Sequence, residues 1–232
     1  MPSSPTSSPR SRVPVLVLAV TGASGALYAR RLLGVLLGAG CEVHLSISPA
    51  GRAVIAHELG IELDLESFDA ARLLGGGARA ADGNASGDAV ESTLPPVCSP
   101  GAKLVYHHHC DLMAPIASGS FLTNGMVICP CSGGTLSAVV HGASTGLIHR
   151  AADVHLKERR KLILVPRETP LSLVQLDNMR RAAEVGAIVL PASPGFYHEP
   201  QSIEDLVDFV VARICDQLGI AHRLMRRWGA IE

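Results

Sequence analysis

An excess of charge of either sign is missing from this sequence: 20 lysines and arginines stand against 21 aspartates and glutamates. That balance gives no electrostatic footprint for nucleic acid. No apolar run approaches the roughly 18 residues that a bilayer span needs, so no membrane segment is expected. The run Val13 to Val20 behind Arg10 and Arg12 has the outline of a signal-peptide core. It leads, however, into a glycine turn and an amphipathic helix, which is how a first βα unit begins. Internal repeats are also missing. The six cysteines include Cys129 and Cys131, one residue apart on or just after an apolar strand, and these read as buried reduced thiols suited to a cytoplasmic protein. Cys129-Pro130-Cys131 lacks the partner pair of a zinc site.

What is present is a core. With 232 residues, 47% of them hydrophobic, the chain can bury the interior of one domain. Strand-like runs at Val13 to Val20, Cys41 to Ile47, Gly125 to Cys129, Leu162 to Val165 and Ala187 to Leu190 alternate with helical stretches. The clearest of those are Ala26 to Leu37, Leu171 to Ala183 and Ile203 to Leu218. The alternation predicts a single-domain α/β fold, Rossmann-like or flavodoxin-like, its mostly parallel sheet covered by helices on both faces. Residues 1–12, rich in Ser and Pro, are expected to form a disordered tail, and 221–232 a C-terminal tail. Gly, Ala, Ser, Asp and Pro dominate from about 73 to 102, which predicts a flexible insertion in the 13–220 domain.

Chemistry concentrates where strands end. Pro166-Arg167-Glu168-Thr169-Pro170 follows the buried run Leu162 to Val165, at the carboxyl end where open α/β sheets place ligands. Thr21-Gly22-Ala23-Ser24-Gly25 follows the first strand and opens a helix, where backbone N–H groups and the helix dipole can hold a phosphate. A dinucleotide site would want glycine where Tyr28 stands and an acid at the end of the second strand, which instead reads Ser46-Ile47-Ser48. No tyrosine has a lysine four residues on, as short-chain dehydrogenases require. A nucleotide with one phosphate and no second ribose fits better, and FMN is the obvious candidate. Ser132-Gly133-Gly134-Thr135 forms a second such turn, in which Ser132 also serves as a helix cap. Arg150 and Lys157 lie two turns apart along one helix face, and Arg213 lies at the flank of the stripe Leu206, Val207, Val210 and Ile214.

Two further patterns suggest metals and are better explained otherwise. Glu204-Asp205-x-x-Asp208 faintly resembles the acidic magnesium motif of diphosphate prenyltransferases, but Ser202 with Asp205 is a capping-box spacing at a helix start. Consecutive residues of an extended strand point to opposite faces, so His107-His108-His109 reads as a polar strand or loop edge rather than a metal site.

Several segments together resemble one family. They are Asp111 to Ser120, Met126 to Ser132, Arg150 to Val154, Lys157 to Arg160, Val165 to Leu171, Pro194-Gly195-Phe196-Tyr197 and Pro200 to Asp208. On these the chain is similar to the bacterial flavin prenyltransferases of the UbiX type. The resemblance implies transfer of a dimethylallyl group from dimethylallyl monophosphate to reduced FMN, between N5 and C6. The product, prenylated FMN, would serve a UbiD-type decarboxylase. It further implies that Gly22, Ala23, Ser24, Ser48, Ser132, Gly133, Gly134, Thr135 and Arg150 hold FMN. Ser118, Gly119, Lys157, Arg167, Tyr197 and Arg213 would hold the substrate, some across a subunit boundary. Glu168 would be the acid/base group, with Ser24 at the N5 edge as relay and Glu58 in support. A homo-oligomer, commonly a dodecamer, is implied as well.

Elementary chemistry agrees with those roles. Fixed cations stabilise the charge left on a departing phosphate, so no metal is required, and a carboxyl group beside it can carry the proton. One departure is Leu112, where some members carry tryptophan; Tyr197, Trp228 and the flavin ring remain as faces for an allylic cation. Two alternatives stand beside this reading. A flavin-dependent cysteine decarboxylase should show a Pro-x-Met-Asn motif where this chain has Pro115 followed by Ile116-Ala117-Ser118. A flavin carrier would not need Lys157, Arg167 and Arg213 beside Glu168.

Overall fold

The computed structural model describes residues 13–75, 99 and 101–225. The amino-terminal tail, most of the 73–102 insertion and Trp228 lie outside the described residues. Leu73 itself belongs to a helix, Ala70–Gly75.

Six parallel strands form one sheet in the order β3-β2-β1-β4-β5-β6. They are β1 (Val15–Val20), β2 (Glu42–Ile47), β3 (Lys103–Tyr106), β4 (Gly125–Cys131), β5 (Leu162–Pro166) and β6 (Ile188–Val189). Around them run α1 (Ala26–Gly38), α2 (Pro49–Leu59), α3 (Ala70–Gly75), α4 (Gly133–Val140), α5 (Leu147–Lys157), α6 (Leu173–Glu184) and α7 (Ile203–Leu218). This is the doubly wound order, whose direction reverses between β1 and β4. Alternate residues of the central strands feed two cores, as a sheet covered on both faces requires. Leu16, Leu18 and Val20 pack under α1 and α7, while Val17 and Ala19 pack under α4 and α5. Among the described residues no helix is long and apolar enough to cross a membrane.

Sequence periodicity placed five of the six strands. Edge strand β3 escaped it because its residues are only partly buried and their pattern is short. At α7 the capping box is formed as expected, Ser202 accepting from Asp205 N and Asp205 accepting from Ser202 N, so the acids there serve the helix. Cys129 and Cys131 are buried free thiols, and burial pushes the latter up to about 12.

At the β2–β3 edge His44 and His107 are both buried. Nδ1 of the first lies 2.8 Å from Nε2 of the second, with the rings stacked at 5.1 Å. Glu42 Oε1 lies 3.0 Å from His44 Nε2 and accepts from Lys103 Nζ at 3.2 Å. Burial, the largest influence, pulls both imidazoles below their ordinary pKa; Glu42 opposes it at His44, and His44 reinforces it at His107. The folded state therefore binds fewer protons than the unfolded state in mildly acidic solution. This contribution is complete above the unfolded value of about 6.5 and is lost as pH falls from there through the folded values. Urea midpoints should fall steadily from about pH 7.5 to about pH 5.5. A flat profile over that window would remove this account of the pair.

Candidate active site

A cavity of about 460 Å³ opens at the carboxyl ends of β1, β2 and β4, the point where the strand order reverses. Its walls include Thr21 and Gly22 after β1, Ser48 to Ala50 opening α2, and Ser132, Gly134 and Thr135 opening α4. Size and position suit a small cofactor. Two glycines make the frame possible. A Cβ on Gly22 would stand 2.5 Å from the Ala50 Cβ, and one on Gly51 would stand 2.6 Å from the Val20 carbonyl oxygen. Only without them can the start of α2 press against the end of β1. Thr21 ties the other side, donating to the Pro130 carbonyl at 2.8 Å and accepting from Ser132 N at 2.9 Å.

The two helix starts on the cavity are capped by their own serines. Ser48 accepts from Gly51 N at 3.0 Å, and Ser132 accepts from Thr135 N at 3.3 Å while donating to its hydroxyl at 3.0 Å. Pro49 has no N–H, so Ala50 N at α2, with Gly133 N and Gly134 N at α4, are the remaining first-turn amides that an anion could meet, in the field of the helix dipole.

The start of α1 differs from the expectation that it could seat a phosphate. Its orphan donors are taken by Glu58 of α2, which accepts from Gly25 N at 3.0 and 3.1 Å and from Ala26 N at 2.8 Å. Burial would raise the Glu58 pKa, but hydrogen bonds from Ser24, Gly25 and Ala26, with the nearby Arg167 charge, hold it below the carboxylate range. A carboxylate so placed repels a second anion. Sequence reasoning had no signal for this contact, because Glu58 reaches α1 only through the packing of two helices. Glu58→Gln should cost about 1 kcal/mol of stability at neutral pH, measured by urea denaturation. The depressed folded pKa makes the contribution present above the unfolded value, about 4.3, and lost as pH falls through the folded value. The difference between wild type and variant should therefore shrink in acid.

At the end of β5, Arg167 is half-buried, and its Nε has no hydrogen-bond partner in the interior. Its charge is felt by both Glu58 and Tyr28, which sets it near the start of α1. An orphaned buried guanidinium nitrogen is costly unless an anion completes it. Next to it, Glu168 is exposed and accepts from Thr169 N and from Gln175 Nε2, each at 3.3 Å. Gln175 is fixed in turn: its Oε1 accepts from Ser172 N at 2.8 Å in the capping box of α6. Its amide also lies against Gly133, where an added Cβ would meet Nε2 at 3.3 Å. Gln175 thus joins the β5 and β4 turns.

The remaining candidates form separate groups. The Arg150 Nε donates to the Ala117 carbonyl at 3.1 Å and its NH1 pairs with Asp153 at 2.9 Å, so the cavity wall beside it comes from Ile148 and His149. Gly119 nestles against Lys157 and Glu158, with Arg160 donating to the Gly119 and Phe121 carbonyls. Lys157 pairs with Glu158 at 2.8 Å, Ser118 bonds Ser120 at 2.9 Å, and Arg213 pairs with Asp216 at 2.9 Å. Tyr197 is exposed and packs edge-on to His198 and Phe209. Leu112, at the position of the expected aromatic wall, is half-exposed. His109 and His149 line the cavity and were not anticipated there.

Fold and site together define a doubly wound α/β protein that holds an anionic small cofactor at its switch point. A flavoprotein family model matches residues 3–215. The flavin prenyltransferase UbiX of Pseudomonas aeruginosa is 49% identical over 215 residues, which cover 92% of this chain and 93% of the relative. The crystal structure of AnUbiX (PadA1) in complex with FMN and dimethylallyl pyrophosphate aligns at a TM-score of 0.77 and 34% identity, covering 95% and 100% of the two chains. A dodecameric FMN-dependent UbiX-like decarboxylase from Escherichia coli O157:H7 aligns at 0.73 and 34% identity, covering 93% and 100%. The chain belongs to the flavoprotein family and, within it, to the flavin prenyltransferases of the UbiX type.

Proposed function

We propose that the protein transfers a dimethylallyl group from dimethylallyl monophosphate to reduced FMN, at N5 and C6, with no metal in the chemical step. The observation that carries the reading is the orphaned Nε of Arg167 beside Glu168, at the end of the strand next to β4, whose following turn frames the cavity. Ser48, Ser132, Gly133, Gly134 and Thr135 are assigned to the FMN phosphate and its surroundings. Gly22, Ala23 and Ser24 would help to hold the flavin, as would Arg150 on leaving its Ala117 contact. The amides of α1, already neutralised by Glu58, are left out of the phosphate seat.

Reduced flavin supplies the nucleophilic ring atoms. The chain supplies the rest. Arg167, Lys157 and Arg213 neutralise the phosphate, and Tyr197 donates a hydrogen bond to it, as the allylic C–O bond breaks and charge collects on its oxygens. Glu168 carries the proton between flavin and phosphate, and Gln175 holds it in place. Ser24, hydrogen-bonded to Glu58, relays a proton at the N5 edge. Ser118 and Gly119 shape the substrate wall next to Lys157.

Lys157 and Arg213 are tied to Glu158 and Asp216 rather than to Glu168, which favours a site completed by a neighbouring subunit. The exposed apolar residues Leu173, Val174 and Leu176 on α6 suit such a contact. A closed symmetric homo-oligomer, a dodecamer as in the Escherichia coli neighbour, follows. The product is assigned to a UbiD-type decarboxylase in the cytoplasm.

The test is anaerobic incubation of the protein with reduced FMN and dimethylallyl monophosphate, followed by mass measurement of the released flavin. A gain of one C5H8 unit supports the transferase. Unchanged FMN mass with tight flavin binding would sink it and point to a decarboxylase or carrier.

A further inference from the structure

Three consecutive residues after β3 do something that an extended strand forbids. The strand ends at Tyr106, and the chain turns through His108, His109 and Cys110. One potential ligand atom from each of these three side chains lies within 4.8 Å of the other two. The alternation argument against a histidine metal site therefore holds for His107 alone, whose ring turns inward to His44. The other two histidines are joined instead by a thiol.

We propose that His108, His109 and Cys110 form a surface site for a borderline-soft divalent ion, zinc in particular, with Glu66 as fourth ligand. The Cys110 Sγ lies 3.1 Å from His109 Nδ1, and Glu66 Oε1 lies 3.2 Å from His108 Nε2. Two donor atoms bound tetrahedrally to one zinc ion are about 3.3 to 3.8 Å apart, so adjustments of about an ångström bring His108, His109 and Cys110 onto one ion, which Glu66 would reach by a rotation of its exposed side chain. Imidazole, thiolate and carboxylate are each zinc donors, and the thiolate disfavours magnesium and calcium.

The turn is built firmly enough to hold this set. The His107 amide donates to the Leu45 carbonyl at 2.8 Å, Asp111 N donates to the His108 carbonyl at 2.9 Å, and Leu147 N donates to the His109 carbonyl at 2.9 Å. The last bond joins the turn to the start of α5, and His109 also lines the switch-point cavity. Cys110 is exposed, whereas Cys41, Cys129, Cys131 and Cys215 are buried. Nothing in the proposed transfer chemistry uses these ligands, so the site is an accessory one beside the cofactor cavity.

The experiment uses untagged full-length protein, stripped with a chelator and titrated anaerobically with Co(II) as a spectroscopic stand-in for zinc. The expected result is one equivalent bound per chain, with a thiolate-to-cobalt charge-transfer band and tetrahedral d–d bands, both displaced by stoichiometric Zn(II). Cys110→Ser should lose the charge-transfer band, and His108→Ala should lose tight binding altogether. FMN fluorescence quenching, unchanged in both variants, would show that they fold. No band at one equivalent, or a band that persists in Cys110→Ser, overturns the proposal. Neither result depends on prenyl transfer, so this site and the transferase reading fail separately.

Discussion

Glu168→Gln should slow flavin prenylation by about 10²–10⁴-fold while leaving FMN affinity nearly unchanged. The side chain is exposed at the end of β5 and touches no residue of the cavity frame except through Gln175, so flavin binding does not depend on its charge. The amide cannot carry a proton. It also faces two fixed donors, Thr169 N and Gln175 Nε2, with only one acceptor oxygen where the carboxylate has two. Gln175 cannot flip to accommodate it, because its own oxygen is held by Ser172 N. Position and proton transfer are thus both disturbed. Gln175→Ala separates them: it frees the carboxylate but keeps its charge, and should give a smaller loss than Glu168→Gln. Single-turnover flavin mass measurements on wild type and both variants check this, and equal losses would argue that Glu168 acts only through its position.

Arg167→Met should lower turnover by about 10²–10³-fold, with a further rise in the KM for the prenyl phosphate. Arg167 is the half-buried cation whose Nε lacks a partner, so the folded protein already bears the cost of desolvating that group. An anion that completes it recovers that cost, most fully when charge has moved onto the phosphate in the transition state. Methionine fills a similar length without charge or donors. Because the orphaned nitrogen disappears, stability should hold or rise slightly while activity falls. Arg167→Lys should recover only part of the rate, since an ammonium cannot reproduce the guanidinium fork. Denaturation curves read beside the kinetics decide the matter. A variant that loses stability and keeps its rate would mean that Arg167 packs rather than binds.

How much of this was legible beforehand differs from element to element. β5 with its Arg167-Glu168 appendage was readable, because a fully buried β-branched run that stops at proline has few other fates. The α7 cap and core stripe were readable from the Ser202-to-Asp205 spacing and a helical period. β3 was not, since a partly buried edge strand of four residues leaves almost no pattern. Where helix α2 begins is set by the Ser48 cap and by the packing of Gly51 against the end of β1. At His107-His108-His109 the alternation rule was sound and its premise was not, because the strand ends one residue earlier.

The residue types needed for the chemistry, and their positions after particular strands, were determined by the sequence alone. A strand's end is a local property: apolar run, proline or glycine, then polar residues. Family resemblance added roles to those residues. Only the tertiary structure decided which strand ends meet. It set β1 against β4, gave the α1 amides to Glu58, brought the capped starts of α2 and α4 to one cavity, and positioned Gln175 between Glu168 and Gly133. Each of these contacts joins residues from different elements. Local propensity carries no information about such pairings; they follow from burying two cores on either side of one twisted sheet.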